Sequence, residues 1–508
     1  MKLPSFLVAL LAGVPTVAFA QNGAVHRAAE SITESDVRRR VDVIADDSMG
    51  GRDTPSRGLE LTAQYVAGEF ARLGLKGAGD AGGFIQRYPL NRTRIDGDSS
   101  RVVFTANGTT AVASARRDLV YVFGPRTGRA VRGQVVLVGG PLQPDVGKLL
   151  DIEGKILVVV GDSRAPRATP VNQFLSGAFE RNPAAVIVVL NNDTLTLARQ
   201  VANQFRERTA VEGETDSDPV VTMVHERALG PVFRAAGIDL SSFRTSPTYT
   251  VRTAESLSVA VTIANVGGPG MSAPNVAAVL EGSDPVLRSE YVVFSAHMDH
   301  VGIKANSKGD SIWNGADDDA SGTAGVIELA EAFSMPGARP RRSLIFVTVS
   351  GEEKGLWGSE YFASHLPVPV SQVVADINMD MIGRNWRDTI AVIGKEHSDL
   401  GVTLARVTAE HPELRIHPID DLWPNENFYF RSDHFNFARR GVPILFFFNG
   451  THTDYHQPSD TPDKIDAEKE ARIVRLIYYL GVEVGNADTR PQWNPDSFKR
   501  IVEKKYQP

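Results

Sequence analysis

The chain has no cysteine in 508 residues, so neither disulfide staples nor thiolate chemistry is available to it. It also lacks a basic field. The formal charge of -7 offers nothing to hold a polyphosphate backbone, which argues against nucleic acid as a partner. Long apolar runs are missing too: the stretch from Phe6 to Ala12 falls well short of the roughly 18 to 20 residues that span a bilayer, and Pro15 follows it. With Lys2 before it and Ala18-Phe19-Ala20 after it, this stretch reads as an export signal removed before Gln21. The expected location is therefore a bacterial periplasm or the medium, with no stable membrane anchor after cleavage. A chain of this size can bury enough core to do without disulfides there.

Several nucleotide and hydrolase signatures are absent or misplaced. There is no GxxxxGK phosphate cradle and no GxSxG nucleophile elbow. The literal dinucleotide fingerprint from Gly77 to Gly82 follows a helical pattern instead of a strand, and His225-Glu226 meets Leu229 where a single-zinc protease helix needs its second His.

What is present is ordinary globular composition, 42% hydrophobic and 23% charged. Thr33 with Asp36 three residues later opens a helix-like segment, and Leu59, Ala63, Val66, Phe70 and Leu73 mark one buried face of a second, ended by Gly74. Short β-branched runs at Val135 to Val138, Ile156 to Val160 and Val186 to Leu190 form a second stretch, and Glu207 to Asp218 reads as an exposed acidic loop. From about Ala254 to Ala487, apolar strands alternate with helical segments, the pattern of a mostly parallel sheet between helices. The tail after Asn486, rich in charge, Pro and Trp, carries no assignment.

The third stretch holds the chemistry. Apolar strands at Tyr291 to Ala296, Arg342 to Val349, Val373 to Met379 and Val442 to Phe448 are followed by His297, Glu352-Glu353, Asp380 and Tyr455-His456. In an open parallel sheet such strand ends share one edge, where these folds place their sites. Between the first two strands lies Asn314-Gly315-Ala316-Asp317-Asp318-Asp319. Three adjacent carboxylates are tolerable only when solvated or held by cations, and imidazole with carboxylate but no thiolate suits zinc or a similar divalent ion.

The segments AHMDHVG, NGADDDASGTAG, SGEEKGLWGSEYF, INMDMIG and DYHQPSDT, in this order, resemble the signature blocks of the secreted co-catalytic di-zinc aminopeptidases. Bacterial leucyl-type aminopeptidases are in that family, with glutamate carboxypeptidase, transferrin receptor and glutaminyl cyclase as relatives. The resemblance implies an α/β zinc-exopeptidase sandwich with a smaller β-rich protease-associated domain inserted in it. The expected layout is a signal peptide at 1–20, the first part of the peptidase at 21–125, the insert at 126–252, the catalytic domain at 253–487 and a tail at 488–508. It also implies two Zn2+ ions, with Asp317 bridging, His297 and Asp380 completing one ion, and Glu353 and His456 the other. Glu352 would be the general base, Asp299 the acceptor that orients His297, and Tyr429 the hydroxyl that steadies the oxyanion.

The implied activity is removal of N-terminal residues from peptides with free N-termini. A glutaminyl cyclase-like enzyme, a carboxypeptidase using Arg384, Arg431 or Arg439 against acidic C-termini, and a non-catalytic receptor are the competing readings. Asp318 and Asp319 are expected to shape the turn, and His300 to pack or support. Ser432-Asp433-His434 is expected to be structural, because sequence neighbours cannot converge as a triad.

Overall fold

The computed structural model describes residues 23–162, 169–212, 219–304 and 309–503, so the expected signal at 1–20 lies outside the described residues. The chain divides into two compact units, one drawn from Met1–Tyr88 and Ser272–Pro508, the other formed by Pro89–Met271.

The first unit is built on a mixed sheet whose centre is parallel. Strand Tyr291–His297 lies between Ser343–Val349 and Val373–Met379, and Val373–Met379 pairs with Ile444–Phe447, all parallel. The sheet continues antiparallel, through residues 276–280 on one side and Thr389–Ile393 on the other. Side chains alternate across each strand, and here both faces are covered. Val293, Ile345 and Val347 pack with Phe362 and Phe437 of the helices Trp357–Ser364 and His434–Ala438. Their neighbours Phe294 and Phe346 stack at 5.6 Å on the opposite face, against Phe333 of helix Gly322–Ser334 and Phe70 of helix Arg57–Arg72. Helix Ala467–Asn486 closes on this face at Gly481, where a Cβ would lie 2.5 Å from the Phe294 ring. The α/β sandwich expected from the sequence is what this unit shows.

The helix starts follow from local chemistry. Thr33 accepts from the Asp36 amide ahead of Glu34–Ile44, and Ser56 accepts from Leu59 ahead of Arg57–Arg72. Gly74, at φ 71°, takes the left-handed turn past the second of these. The tail also has structure: Pro495–Phe498 is helical and Trp493 donates its indole N–H to the Gly441 carbonyl.

The second unit centres on four parallel strands, Val135–Gly139, Ile156–Val160, Ala185–Leu190 and Val220–His225. Thr250–Thr253 and Leu119–Phe123 pair antiparallel at its edges, and helices Thr169–Phe179 and Thr194–Asn203 lie between strands in the chain. It is wider than the expected 126–252. Strands Arg101–Ala106 and Thr127–Gly133 pair with residues 258–264, and Val102, Phe104 and Val261 share one core with Val158 and Ile187. Residues 208–211, expected within an exposed loop, instead form a strand beside 90–93. No helix among the described residues is long and apolar enough to cross a membrane.

Candidate metal centre

Parallel strands bring their carboxyl ends to one edge of the first unit's sheet, and the chemistry-bearing side chains gather there. His297 ends its strand, Asp380 follows Met379, Glu352 and Glu353 begin the turn after Val349, and His456 sits in the loop after Phe447. The acidic turn at 316–321 leads into helix Gly322–Ser334.

Asp318 lies at the centre. One carboxylate oxygen is 3.3 Å from His297 Nε2, and the other is 3.1 Å from His456 Nε2 and 3.5 Å from His300 Nδ1. Glu353 Oε1 lies 3.0 Å from both His300 Nδ1 and His456 Nε2, and Asp380 Oδ1 lies 3.6 Å from His297 Nε2. Two groups of potential ligands result: His300, Asp318, Glu353 and His456 in one, His297, Asp319 and Asp380 in the other.

This corrects the expected bridge. Asp317 does not face the imidazoles of 297 and 456; one of its oxygens accepts from the Gly383 amide at 2.7 Å and the other lies 3.2 Å from His452 Nε2. The turn decides which carboxylate points inward. Asp460 accepts from the amides of Asp317 and Asp318, and Asp319 accepts from the amides of His297, Gly322 and Met381. With its backbone clamped on both sides, the turn leaves Asp318 as the carboxylate aimed between the histidines.

Asp299 lies beside His297, whose Nδ1 is 3.2 Å from the Asp299 backbone carbonyl and 3.7 Å from its carboxylate; that carboxylate accepts from the Thr54 hydroxyl and the Glu352 amide. Glu352 lines a cavity of about 40 Å³ together with His297, Asp318 and Asp380. Burial holds its carboxyl well above the ordinary carboxylate range; His297 opposes this, while Asp433, Asp380 and Glu353 add to it.

Tyr429 is the second correction. In the short turn Phe428–Phe430 alternate side chains diverge: Phe428 lines the cavity, while Tyr429 packs edge-on against His397 at 4.5 Å and is absent from the lining. The phenol at the cavity is Tyr455, whose ring stacks on His456 at 3.9 Å. The remainder of the wall is largely apolar, from Met381, Phe446 and Phe448.

Ser432-Asp433-His434 is no triad. Ser432 donates to Asp380 at 2.9 Å, and His434 hydrogen-bonds the Tyr429 carbonyl, with burial pushing its pKa down to about 3. Of the three arginines considered for carboxylate binding, only Arg431 lines the cavity; Arg384 pairs with Asp454 and Arg439 with Glu360.

Asp460 and Arg52 escaped the sequence reading, and His300, expected only to pack or support, faces Asp318 and Glu353. The buried guanidinium of Arg52 donates to the carbonyls of Met298, Asn314 and Gly315, tying the His297 strand end to the start of the acidic turn.

Curated relatives match the same region. A probable leucine aminopeptidase of Trichophyton verrucosum is 28% identical over 222 residues, 42% of this chain and 58% of the relative, so the chain spans little more than half the length of that protein. A probable zinc metalloprotease of Pyricularia oryzae is 38% identical over 109 residues, 22% of this chain and 21% of the relative. Among solved structures, an aminopeptidase from Aneurinibacillus sp. strain AM-1 covers 92% of this chain and 98% of its own at 18% identity, with a TM-score of 0.49. Residues 275–481, which hold both groups of potential ligands, match the sequence pattern of peptidase family M28.

Proposed function

We propose that the protein is a zinc-dependent aminopeptidase that hydrolyses N-terminal residues of peptides, with Glu352 as general base. One observation carries this reading. Asp318 Oδ2, Glu353 Oε1, His300 Nδ1 and His456 Nε2 are buried within a few ångströms of one another, and none has a hydrogen-bond partner. Unpaired buried polar atoms are costly, and carboxylates facing imidazoles without thiolate are the donor set of zinc. The residues therefore fit two divalent ions: His297 and Asp380 on one side, Glu353, His456 and His300 on the other, and Asp318 between them. The relatives' names, leucine aminopeptidase and zinc metalloprotease, point the same way.

When bound, the metal would polarise the scissile carbonyl and lower the pKa of water. The chain's own groups do the rest. Glu352 faces the cavity beside His297 and Asp380, and its backbone amide is tied to Asp299. From that position it can take a proton from the attacking water and deliver it to the leaving amine. Tyr455 offers a hydroxyl at the same wall, and Met381, Phe428, Phe446 and Phe448 suit an apolar side chain at the substrate's N-terminus.

The Pro89–Met271 unit contributes no residue to either ligand group, and we assign it a non-catalytic role as the protease-associated insert. The signal-like start supports export. The test is a panel of aminoacyl and N-blocked chromogenic substrates assayed with and without zinc. Cleavage of only the unblocked compounds, lost on chelation and restored by zinc, is expected. Cleavage of blocked compounds, or release of pyroglutamate from N-terminal Gln, would replace this reading with one of its competitors.

A further inference from the structure

His300 is fully buried, both its ring nitrogens lack hydrogen bonds, and its Nδ1 points at two carboxylates. The fold makes room for it at some cost in local freedom. Gly315 has φ 57°, and a Cβ there would lie 2.5 Å from His300 Cγ, so only glycine leaves the ring its place. A buried imidazole with no partner is expensive, and a role in packing alone would be better served by an apolar ring.

The four donors His300 Nδ1, His456 Nε2, Asp318 Oδ2 and Glu353 Oε1 are separated by 3.5, 3.0, 3.1 and 3.0 Å along the four measured edges. Ligands at about 2.0–2.1 Å from a tetrahedral zinc lie roughly 3.3 Å apart, and the four measured edges are close to that spacing. The other group differs. His297, Asp318 and Asp380 all line the cavity, whereas His300, Glu353 and His456 do not. In zinc proteins a site closed by four protein donors is structural, and a site with three keeps a position for water or substrate.

We propose that His300 is a fourth protein ligand of the ion held by Glu353, His456 and Asp318, which makes the two ion sites unequal. The site at His300 has four protein donors, and the one at His297 and Asp380 is left open toward the cavity. Two imidazoles also make the His300 site more selective for zinc than the oxygen-rich His297 site, which admits harder ions such as manganese more readily. This inference rests on the two-ion reading above.

The experiment uses the full chain loaded with zinc. Stepwise chelation with metal counting should remove the two ions from the wild type in separate stages. H300A and H300Q, verified as folded by circular dichroism, should hold the later-leaving ion at least about 10- to 100-fold more weakly, the range that loss of even a supporting residue produces. Independently of any variant, zinc-edge anomalous diffraction from the wild type should put Nδ1 of His300 about 2.0–2.1 Å from one ion. Two ions present with Nδ1 beyond about 3 Å from both, or retained by H300A with wild-type affinity, would overturn the role of His300 while sparing the two-ion centre. A wild type that binds no zinc would overturn both.

Discussion

Replacing Asp317 and Asp318 one at a time by alanine separates two carboxylates that the sequence cannot tell apart. Each ion bound at 100 times its dissociation constant stabilises the fold by about 2.7 kcal/mol, so two ions give about 5 kcal/mol. At roughly 2 °C per kcal/mol for a large domain, zinc should raise the melting temperature of its transition by about 10 °C. Asp318→Ala removes the carboxylate facing His297, His300 and His456, so most of that zinc-induced rise should vanish. Asp317→Ala instead strands the Gly383 amide, a cost of about 1–3 kcal/mol that lowers the transition with and without zinc. Its zinc-induced rise should stay near that of the wild type. Differential scanning calorimetry of chelated and zinc-loaded protein reads both effects. A rise abolished by Asp317→Ala and preserved by Asp318→Ala would refute the assignment of the bridge.

Three further outcomes are expected. Glu352→Gln should keep both metals by elemental analysis while turnover falls by about 10²- to 10⁴-fold, because a proton acceptor is lost and no ligand is; near-normal turnover would remove Glu352 from its role. Tyr429→Phe should leave steady-state kinetics unchanged, whereas Tyr455→Phe should lower kcat, since only Tyr455 lines the cavity; the reverse ranking would restore Tyr429. Burial pushes the pKa of Asp376 from 3.8 to about 8, so its protonated form is favoured in the folded state. The stability this contributes is present below pH 4 and is lost as pH rises through 8, so Asp376→Asn should gain stability relative to wild type across that window in urea titrations. A gap that shrinks with rising pH would contradict the burial argument.

The sheet and its edge were legible in the sequence because both depend on short-range patterning. Four apolar runs, each ending in a polar ligand type, are enough to bring His297, Glu353, Asp380 and His456 to one edge, whatever the details of the loops. What was illegible depends on distant backbone contacts. The direction of Asp318 is set by an amide clamp that includes Asp460, 142 positions away. Likewise the turn of Tyr429 into the core, away from the cavity, depends on packing against His397, and the place of His300 depends on the bare backbone of Gly315. The extent of the second unit was missed because the single strand Ser258–Leu280 pairs with residues 101–105 near its start and with 344–348 near its end, so no turn signal marks where one unit gives way to the other.

The central claim is that side chains from five separate segments hold two divalent ions. Equilibrium dialysis of the metal-stripped protein against zinc, with the bound metal counted per chain, tests it most directly. Two zinc ions per folded chain are predicted, with return of activity on loading; a folded chain that takes up fewer than one would contradict the account.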